Sequence, residues 1–347
     1  MTEHLMKWFR FVAVTTVVSL VGFELVLLLL RHQPKLSTAP PVAAVARELY
    51  MLDRHMIQFE TEAARWDERL GYTLRPGTFH FSNTEFDTRY LVNSKGLRDD
   101  EASLDAPAIV VVGDSFAMGW GVEQDEAFPQ LLETLSGRAV LNTAIASYGT
   151  ARQLRLLGEL DLSAARHLVI QFCNNDYFEN LAFEREGTGF NVQNADGYAD
   201  AVRNYRRMRR YWPGRYSFTL LGRRLGHGAA APDHPDPADP ANQRRQAELF
   251  IDVLVRSPVD LSHLRIITFE LNSHNRYGGL FIPALREVIT DGDYPPHIKR
   301  MVASDLAAEL DPNLFFHLDD HITAEGHHHL AQRLWEIIQT GELRVTR

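Results

Sequence analysis

Three short polar segments of the sequence contain the side chains that a nucleophilic active site needs. Gly113-Asp114-Ser115 offers a serine hydroxyl, Asn174-Asn175-Asp176 offers side-chain amides, and Asp319-Asp320-His321 offers an imidazole beside two carboxylates. A serine becomes a nucleophile when a neighbouring base takes its proton, and that base needs a group to orient it. Amide N–H groups stabilise the oxyanion of an acyl intermediate. The three segments therefore have the composition of an acyl-transfer site, with Ser115 as the candidate nucleophile.

Each polar segment follows an apolar run that predicts a strand. The runs at 109–112, 167–172 and 314–318 precede the three segments in turn, and a further run at 139–142 precedes a turn of small residues. Because the carboxyl ends of parallel strands meet at one edge of a sheet, we expect the polar groups to lie together there. Gly-Asp-Ser alone is more typical of an ordinary turn after a strand than of a catalytic serine. The interpretation therefore depends on the segments occurring together.

The order of elements predicts an α/β fold with a central, mainly parallel five-stranded sheet. Apolar runs without polar alternation are typical of parallel strands that are covered on both faces. Strands are predicted at 110–112, 139–142, 167–172, 264–269 and 314–318, and helices at 122–135, 151–160 and 324–338. Alternating strands and helices of this kind place a parallel sheet between two layers of helices.

The N-terminal segment predicts one transmembrane helix. From Phe11 to Leu30 the sequence is almost continuously apolar, which is long enough to cross a hydrocarbon core of about 30 Å. Glu24 is the ionisable residue in this stretch, and a carboxylate at that depth is costly unless it is paired. A cleavable signal peptide is the alternative, but the small-residue site at 37–39 lies well beyond the apolar core. A short N-terminal tail favours an inside N-terminus, so the bulk of the chain is expected on the extracytoplasmic (periplasmic) side.

These signals divide the chain into three predicted parts. Residues 1–30 form the tail and membrane anchor, and residues 31–70 form a tether with a helical stalk at 43–69. Residues 71–347 form the main domain, with an insertion at about 177–260. Within the insertion, residues 226–240 are rich in proline, glycine and alanine and predict a surface loop, with helical stretches on both sides.

Charge and cysteine content exclude several classes of function. The net charge of -9 argues against a nucleic-acid partner. One local exception is the stretch 203–215, where arginines alternate with tyrosine and tryptophan; a solvated or membrane-facing helix is favoured there over a phosphate site. Cys173 is the one cysteine, which excludes an intrachain disulfide and any site of several cysteine ligands.

The order of the motifs resembles that of the SGNH (GDSL-like) hydrolases, from about residue 93 to the terminal helix. The resemblance implies a three-layer α/β/α, flavodoxin-like fold and a serine esterase that works through an acyl-enzyme, without a cofactor. It makes Ser115 the nucleophile and its backbone N–H one oxyanion donor. Asn175 and Asp176 match the end of the family's Gly-x-Asn-Asp block, with Cys173 in place of its glycine, so the Asn175 side chain becomes a second donor.

Two further roles follow from the same resemblance. The second block of the family supplies a glycine N–H, and counting from Asn142 this place falls on Ser147, with Gly149 as a reserve. The last block is usually Asp-x-x-His, but Leu318 occupies that acidic position. Membrane-tethered members have Asp-x-His followed by Gly-His, which Asp319, His321 and Gly326-His327 resemble.

The resemblance therefore makes His321 the base and Asp319 its orienter, with Asp320 as a second choice, and Asp114 and Asp176 as supporting residues. The expected partners are an acylated carbohydrate or small molecule and the membrane. The reaction expected is ester hydrolysis, of O-acetyl type. Two alternatives remain open: an O-acyltransferase acting on an envelope polysaccharide, and an inactive binding domain of the same fold.

A metal site is the less favoured interpretation of the C-terminal histidines. His317, Asp319 and His321 could join the histidines at 327–329, but consecutive residues of a helix face different directions. A hydrolytic metal would also not need the Gly-Asp-Ser and Asn-Asp segments. We therefore expect no metal.

Overall fold

The computed structural model describes residues 2–33, 40–186, 192–226, 236, 238–275 and 279–340. Most of the loop predicted at 226–240 lies outside the described residues. The chain divides into two compact units. The unit that contains the predicted membrane helix, named the anchor unit, comprises residues 1–54, 203–234 and 317–319, and the unit that contains the candidate catalytic residues Ser115 and His321, named the catalytic unit, comprises residues 55–202, 235–316 and 320–347.

The catalytic unit is built on a five-stranded parallel sheet. Its strands are β5 (Ile109–Val112), β6 (Val140–Asn142), β7 (His167–Phe172), β8 (Arg265–Glu270) and β9 (Val302–Ala303), in the spatial order β6-β5-β7-β8-β9. Every neighbouring pair is parallel, and all four residues of β5 are buried. The predicted α/β fold with a five-stranded parallel sheet is confirmed.

Helices cover both faces of this sheet. They are α3 (Ser115–Met118), α4 (Phe128–Ser136), α5 (Thr150–Leu157), α6 (Tyr177–Glu186), α7 (Ala195–Arg209, of which Arg203 onward belongs to the anchor unit), α9 (Pro240–Val255), α10 (Phe281–Asp291), α11 (Pro296–Lys299) and α12 (Ala324–Thr340). Because strand side chains alternate between faces, Val111 packs with residues of α4 and α12, whereas Val110 packs with residues of α5, α9 and α10. The result is a three-layer α/β/α arrangement.

The last strand and the helix after β5 differ from the prediction. The fifth strand is Val302–Ala303 and not 314–318. The predicted strand fails because Asp311 accepts a hydrogen bond from the Asn313 N–H and starts a 3-10 turn over Pro312–Leu314. Only Phe315 keeps a strand-like bridge, to Ile322. The helix predicted over 122–135 begins at Phe128, where Pro129 stands in the first turn.

Two antiparallel hairpins precede the sheet in the catalytic unit. Strand β1 (Ala64–Asp67) pairs with β2 (Gly71–Leu74), and β3 (Gly77–Ser82) pairs with β4 (Asp87–Val92). The helix predicted over 43–69 therefore ends early, at Asp53. Gly71, with a φ of 81°, supplies the left-handed turn residue that lets the chain fold back.

The anchor unit contains three helices besides the C-terminal part of α7. They are α1 (Thr2–His32), α2 (Pro40–Asp53) and α8 (Arg215–Arg224). Helix α1 is long and apolar enough to cross a membrane, with a mean hydropathy of 2.4 over its most apolar window. Most of its apolar side chains are exposed.

Candidate active site

Ser115 lies at the tight turn that follows β5. Asp114 caps the short helix α3, because its carboxylate accepts a hydrogen bond from the Phe116 N–H at 2.9 Å. Gly113 leaves room for this turn: a Cβ at that position would lie 2.6 Å from both the Ala117 Cβ and the Gln171 Oε1. The glycine therefore lets the chain pass close to β7 and present Ser115 at the carboxyl edge of the sheet.

The structure brings Ser115, His321 and Asp320 into one chain of contacts. The Ser115 Oγ lies 2.7 Å from the His321 Nε2. On the other side of the ring, the His321 Nδ1 lies 3.1 Å from the Asp320 Oδ1. The second oxygen of Asp320 accepts a hydrogen bond of 2.6 Å from the Ser273 hydroxyl. This arrangement has the geometry of a serine nucleophile, its base and the carboxylate that orients the base.

Asp319, the orienter that the resemblance implies, contacts Tyr50 and Arg54. Its buried carboxylate accepts a hydrogen bond from the Tyr50 hydroxyl and lies 3.8 Å from the Arg54 Nε, within the anchor unit. Asp320, the second choice, lies at the Nδ1 of His321, so both carboxylates stay candidates for the orienter.

Two aromatic rings hold the imidazole of His321. The Trp120 ring stacks on it with a centroid distance of 5.1 Å and an angle of 19°, and the Phe116 ring lies 4.5 Å away. His321 is consequently only 2% exposed. Sequence reasoning missed both rings, although they follow Ser115 within a few residues. Their packing restricts the ring plane and leaves Nε2 directed at the serine.

The Asn175 amide lies beside the nucleophile turn. It follows β7 in a 3-10 turn, is exposed, and its Nδ2 donates to the Asp114 Oδ2 at 3.3 Å. Burial raises the pKa of the Asp114 carboxyl. Asp114 thus contacts both the α3 backbone and Asn175, which places the amide near Ser115.

Ser147 has an unusual backbone conformation, with a φ of 61°. Glycine adopts this left-handed region at little cost, whereas other residues are strained in it. The Ser147 hydroxyl accepts a hydrogen bond of 3.1 Å from Gln58 Nε2. Within the described part of the chain, the backbone N–H groups of Ser115 and Ser147 have no hydrogen-bond acceptor. Both are therefore available to an incoming oxyanion.

Gly149 and Asp176 are engaged in structural contacts. The Gly149 N–H donates to the Glu179 Oε2 at 2.9 Å, so the reserve oxyanion donor is already used. The Asp176 carboxylate accepts from the Thr150 hydroxyl at 2.7 Å, and burial raises its pKa well above the usual range. Asp176 therefore joins the turn after β7 to the start of α5 through Thr150.

Two further polar residues support the site and were not anticipated. The Gln171 Oε1 accepts from the Asp114 N–H at 3.0 Å, and the Asn272 Oδ1 accepts from the Asn174 N–H at 2.9 Å. The signal for Gln171 was available, because it is the one polar residue that follows His167 in the otherwise apolar strand β7. Cys173 is buried, and burial raises the pKa of its thiol well above its usual value, which disfavours a thiolate nucleophile.

Three of the residues considered for a metal site have partners in the protein. His321 faces Ser115 and Asp320, and Asp319 accepts from Tyr50. The buried His327 uses its Nδ1 to accept the Phe128 N–H at 3.2 Å. A metal ion would have to displace these contacts, so the donor set fits a serine-based site better than a metal centre.

No protein-family model and no curated protein sequence matches the chain. Among the solved structures to which the chain is similar is a lipolytic protein of the G-D-S-L family from Desulfitobacterium hafniense DCB-2, with 13% sequence identity, a TM-score of 0.33, and coverage of 66% of this chain and 98% of that one. A second is TesA, with 14% identity, a TM-score of 0.34, and coverage of 67% of this chain and 97% of that one. A third is phospholipase A1 from Streptomyces albidoflavus NA297, with 14% identity, a TM-score of 0.33, and coverage of 64% of this chain and 94% of that one.

Proposed function

We propose that the protein is a serine ester hydrolase that works through an acyl-enzyme on Ser115. The observation that carries the proposal is the contact of 2.7 Å between the Ser115 Oγ and the His321 Nε2, with Asp320 on the opposite nitrogen. His321 takes the hydroxyl proton as the Ser115 Oγ bonds to the acyl carbon. The protonated imidazole then gives that proton to the leaving alcohol, and water releases the acyl group by the reverse sequence.

The proposed oxyanion site consists of three N–H donors. They are the backbone N–H groups of Ser115 and Ser147 and the side-chain amide of Asn175. The proposal is supported by the two backbone groups being without acceptors among the described residues and by the contact of Asn175 with Asp114. Donors fixed before the reaction stabilise the tetrahedral intermediate without reorganisation.

We further propose that α1 stays in the mature protein as a single membrane anchor, with the catalytic unit on the extracytoplasmic side. Retention is supported by contacts that a cleaved signal peptide would lose. Glu24 is buried and accepts hydrogen bonds from residues 216 and 217, and Arg31 pairs with Asp53. An enzyme at this location meets envelope carbohydrate, so O-acetyl groups on such polymers are the proposed ester class.

A fluorophosphonate probe tests the nucleophile directly. The detergent-solubilised full chain is expected to be labelled covalently, and Ser115→Ala is expected to lose both labelling and acetyl-ester cleavage. Ser262→Ala, which changes an exposed serine of the same unit, serves as the matched control and should behave as the wild type. Absence of labelling in the wild-type chain would favour an inactive binding domain and overturn the proposal.

Product analysis then identifies the acceptor of the acyl group. The wild-type chain is incubated with an activated acetyl donor, with and without an oligosaccharide. Free acetate at an unchanged rate in both samples supports hydrolysis. Acetylated oligosaccharide that is absent from the Ser115→Ala sample would instead assign an O-acyltransferase.

A further inference from the structure

An apolar surface beside α1 is not explained by the proposed reaction. It is formed by residues 208–221, which comprise the end of α7, the turn at 210–214 and most of α8. Phe218 is 56% exposed, Trp212 is 48% exposed and Leu221 is 44% exposed. Large apolar side chains that cluster on a protein surface mark an interaction site. We name this surface the α8 surface.

Buried contacts join α8 to the apolar part of α1. The Glu24 carboxylate accepts hydrogen bonds from the Ser217 N–H at 2.8 Å, from the Ser217 hydroxyl at 2.7 Å and from the Tyr216 N–H at 3.3 Å. Leu220 and Leu27 pack in one apolar cluster. Glu24 lies roughly 12 Å before the last residue of α1, His32, at the rise of an α-helix. The start of α8 therefore meets α1 inside the stretch that is long and apolar enough to cross a membrane.

These contacts explain how a carboxylate is accommodated in an apolar helix. An unpaired polar group in hydrocarbon is costly, so ionisable residues in membrane spans are paired with other groups. The first N–H groups of α8 are unsatisfied by its own helix, and they meet the Glu24 carboxylate. The two partners satisfy each other only where α8 lies against α1.

Two apolar grooves flank the contact between α8 and α1. One has a volume of about 320 Å³ and lies between Leu30, Val45 and Leu221, with Arg224 at its rim. The other has a volume of about 270 Å³ and lies between Val21 and Phe218. Exposed apolar side chains of α1 line both grooves, Phe23 and Val26 the first and Val21 and Leu25 the second. The surface that would meet lipid therefore runs without a break from α1 onto α8.

Exposed arginines accompany the α8 surface. They are Arg207, Arg210, Arg223 and Arg224. Guanidinium groups bind phosphate oxygens, and basic residues beside apolar ones favour the headgroup layer of anionic membranes. Tryptophan and tyrosine, which occur here as Trp212 and Tyr211, are enriched at the same level of a bilayer.

We propose that the α8 surface is a second membrane-contacting element, which lies in the leaflet at the C-terminal end of α1 and binds anionic phospholipid. Phe218, Leu221 and Trp212 contact the acyl chains, and the arginines contact the phosphates. The occupant is lipid because the surface continues that of a membrane-spanning helix. This inference rests on the proposed retention of α1 as an anchor.

Site-directed spin labelling tests the proposal on the full chain in phosphatidylcholine vesicles that contain phosphatidylglycerol. Nitroxides are attached to F218C and L221C, and their collisions with oxygen and with a water-soluble nickel chelate are measured. V18C reports on the anchor helix, and L135C, an exposed leucine of α4, is the matched control. Cys173 is buried, and the wild-type chain provides the blank.

The proposal expects F218C and L221C to collide with oxygen severalfold more often than with nickel, as V18C does, while L135C shows the opposite preference. Nickel access at positions 218 and 221 with lipid contact at position 18 would overturn the α8 proposal and leave the anchor intact. Protection from both reagents at 218 and 221 would indicate a protein partner and would also overturn it. Nickel access at position 18 would overturn the anchor proposal itself.

The double variant Arg223→Gln/Arg224→Gln in the F218C background tests whether these arginines bind the anionic lipid. Phosphatidylglycerol should lower nickel access at position 218 relative to vesicles of phosphatidylcholine alone. The double variant should lose that difference while oxygen access persists. Equal dependence on phosphatidylglycerol with and without the two arginines would overturn the assignment of these residues to the phosphates.

Discussion

The Asp320 carboxylate lies 3.1 Å from the His321 Nδ1, whereas its neighbour Asp319 accepts a hydrogen bond from Tyr50. Asp320 thus contacts the imidazole, and Asp319 contacts α2, the helix that follows α1. A carboxylate on Nδ1 fixes the tautomer of the base and stabilises the imidazolium. We expect Asp319, which is fully buried, to have a structural role instead.

The first prediction separates these two roles. We expect Asp320→Asn to lower kcat by about a hundredfold to ten-thousandfold, since the amide can favour the wrong imidazole tautomer. Asp319→Asn should keep kcat within about tenfold but reduce stability by about 1–3 kcal/mol, because it weakens the buried contacts to Tyr50 and Arg54. Kinetics with an acetyl ester and thermal unfolding of both variants check this. The reverse pattern would assign Asp319 as the orienter.

The second prediction concerns the oxyanion donors. We expect Asn175→Ala to lower kcat by about a hundredfold to a thousandfold, as is typical when one such donor is removed.

Ser147→Ala and Ser147→Gly both keep the backbone N–H and should retain activity. Both lose the hydroxyl contact to Gln58, so comparing them isolates the backbone. The glycine variant should be more stable than the alanine variant by about 1 kcal/mol because φ is 61°. Loss of activity in both Ser147 variants would assign the role to the hydroxyl.

The third prediction tests the space at the nucleophile turn. An added methyl at Gly113 would lie 2.6 Å from the Ala117 Cβ and the Gln171 Oε1. Gly113→Ala should therefore shift the turn, destabilise the chain by about 1–3 kcal/mol and reduce fluorophosphonate labelling of Ser115. Gly158→Ala, where the nearest atom would lie 3.3 Å away, is the control and should keep wild-type labelling. Wild-type labelling of Gly113→Ala would show that the turn tolerates the methyl.

The sheet, the Gly-Asp-Ser turn and the approach of His321 to Ser115 were predictable from sequence because each has a local signature. An apolar strand without alternation, such as Ile109–Val112, identifies itself through composition, and Gly-Asp-Ser at its end has a steric reason to be there. The pairing of Ser115 with His321 followed from both lying after predicted strands. The run that precedes His321 is not a strand, yet its turn still brings the imidazole to the serine.

The remaining features depend on contacts between distant parts of the chain, which composition does not encode. The contacts of Asp319 with Tyr50 and of Asp320 with Ser273 join residues that are far apart in sequence. The fifth strand contains only Val302 and Ala303, too few residues to produce a pattern. Likewise, Glu24 was an unexplained charge in an apolar helix until α8 supplied its hydrogen-bond donors.

The final prediction concerns the stability of the catalytic unit in acid. His327 is fully buried against Phe128 and accepts its N–H, and burial lowers the pKa of this imidazole to about 3 from an ordinary 6.5. Between these values the unfolded chain binds a proton that the folded chain does not bind. The contribution of neutral His327 is therefore complete above about pH 6.5 and is lost as the pH falls towards 3, by up to about 5 kcal/mol in total.

Asn has no titrating proton but can accept the Phe128 N–H, so His327→Asn should flatten the fall of the unfolding temperature below pH 6.5. His328→Asn, at an exposed position of the same helix, should leave that fall unchanged, and an equally steep fall in the His327 variant would show that other groups cause it.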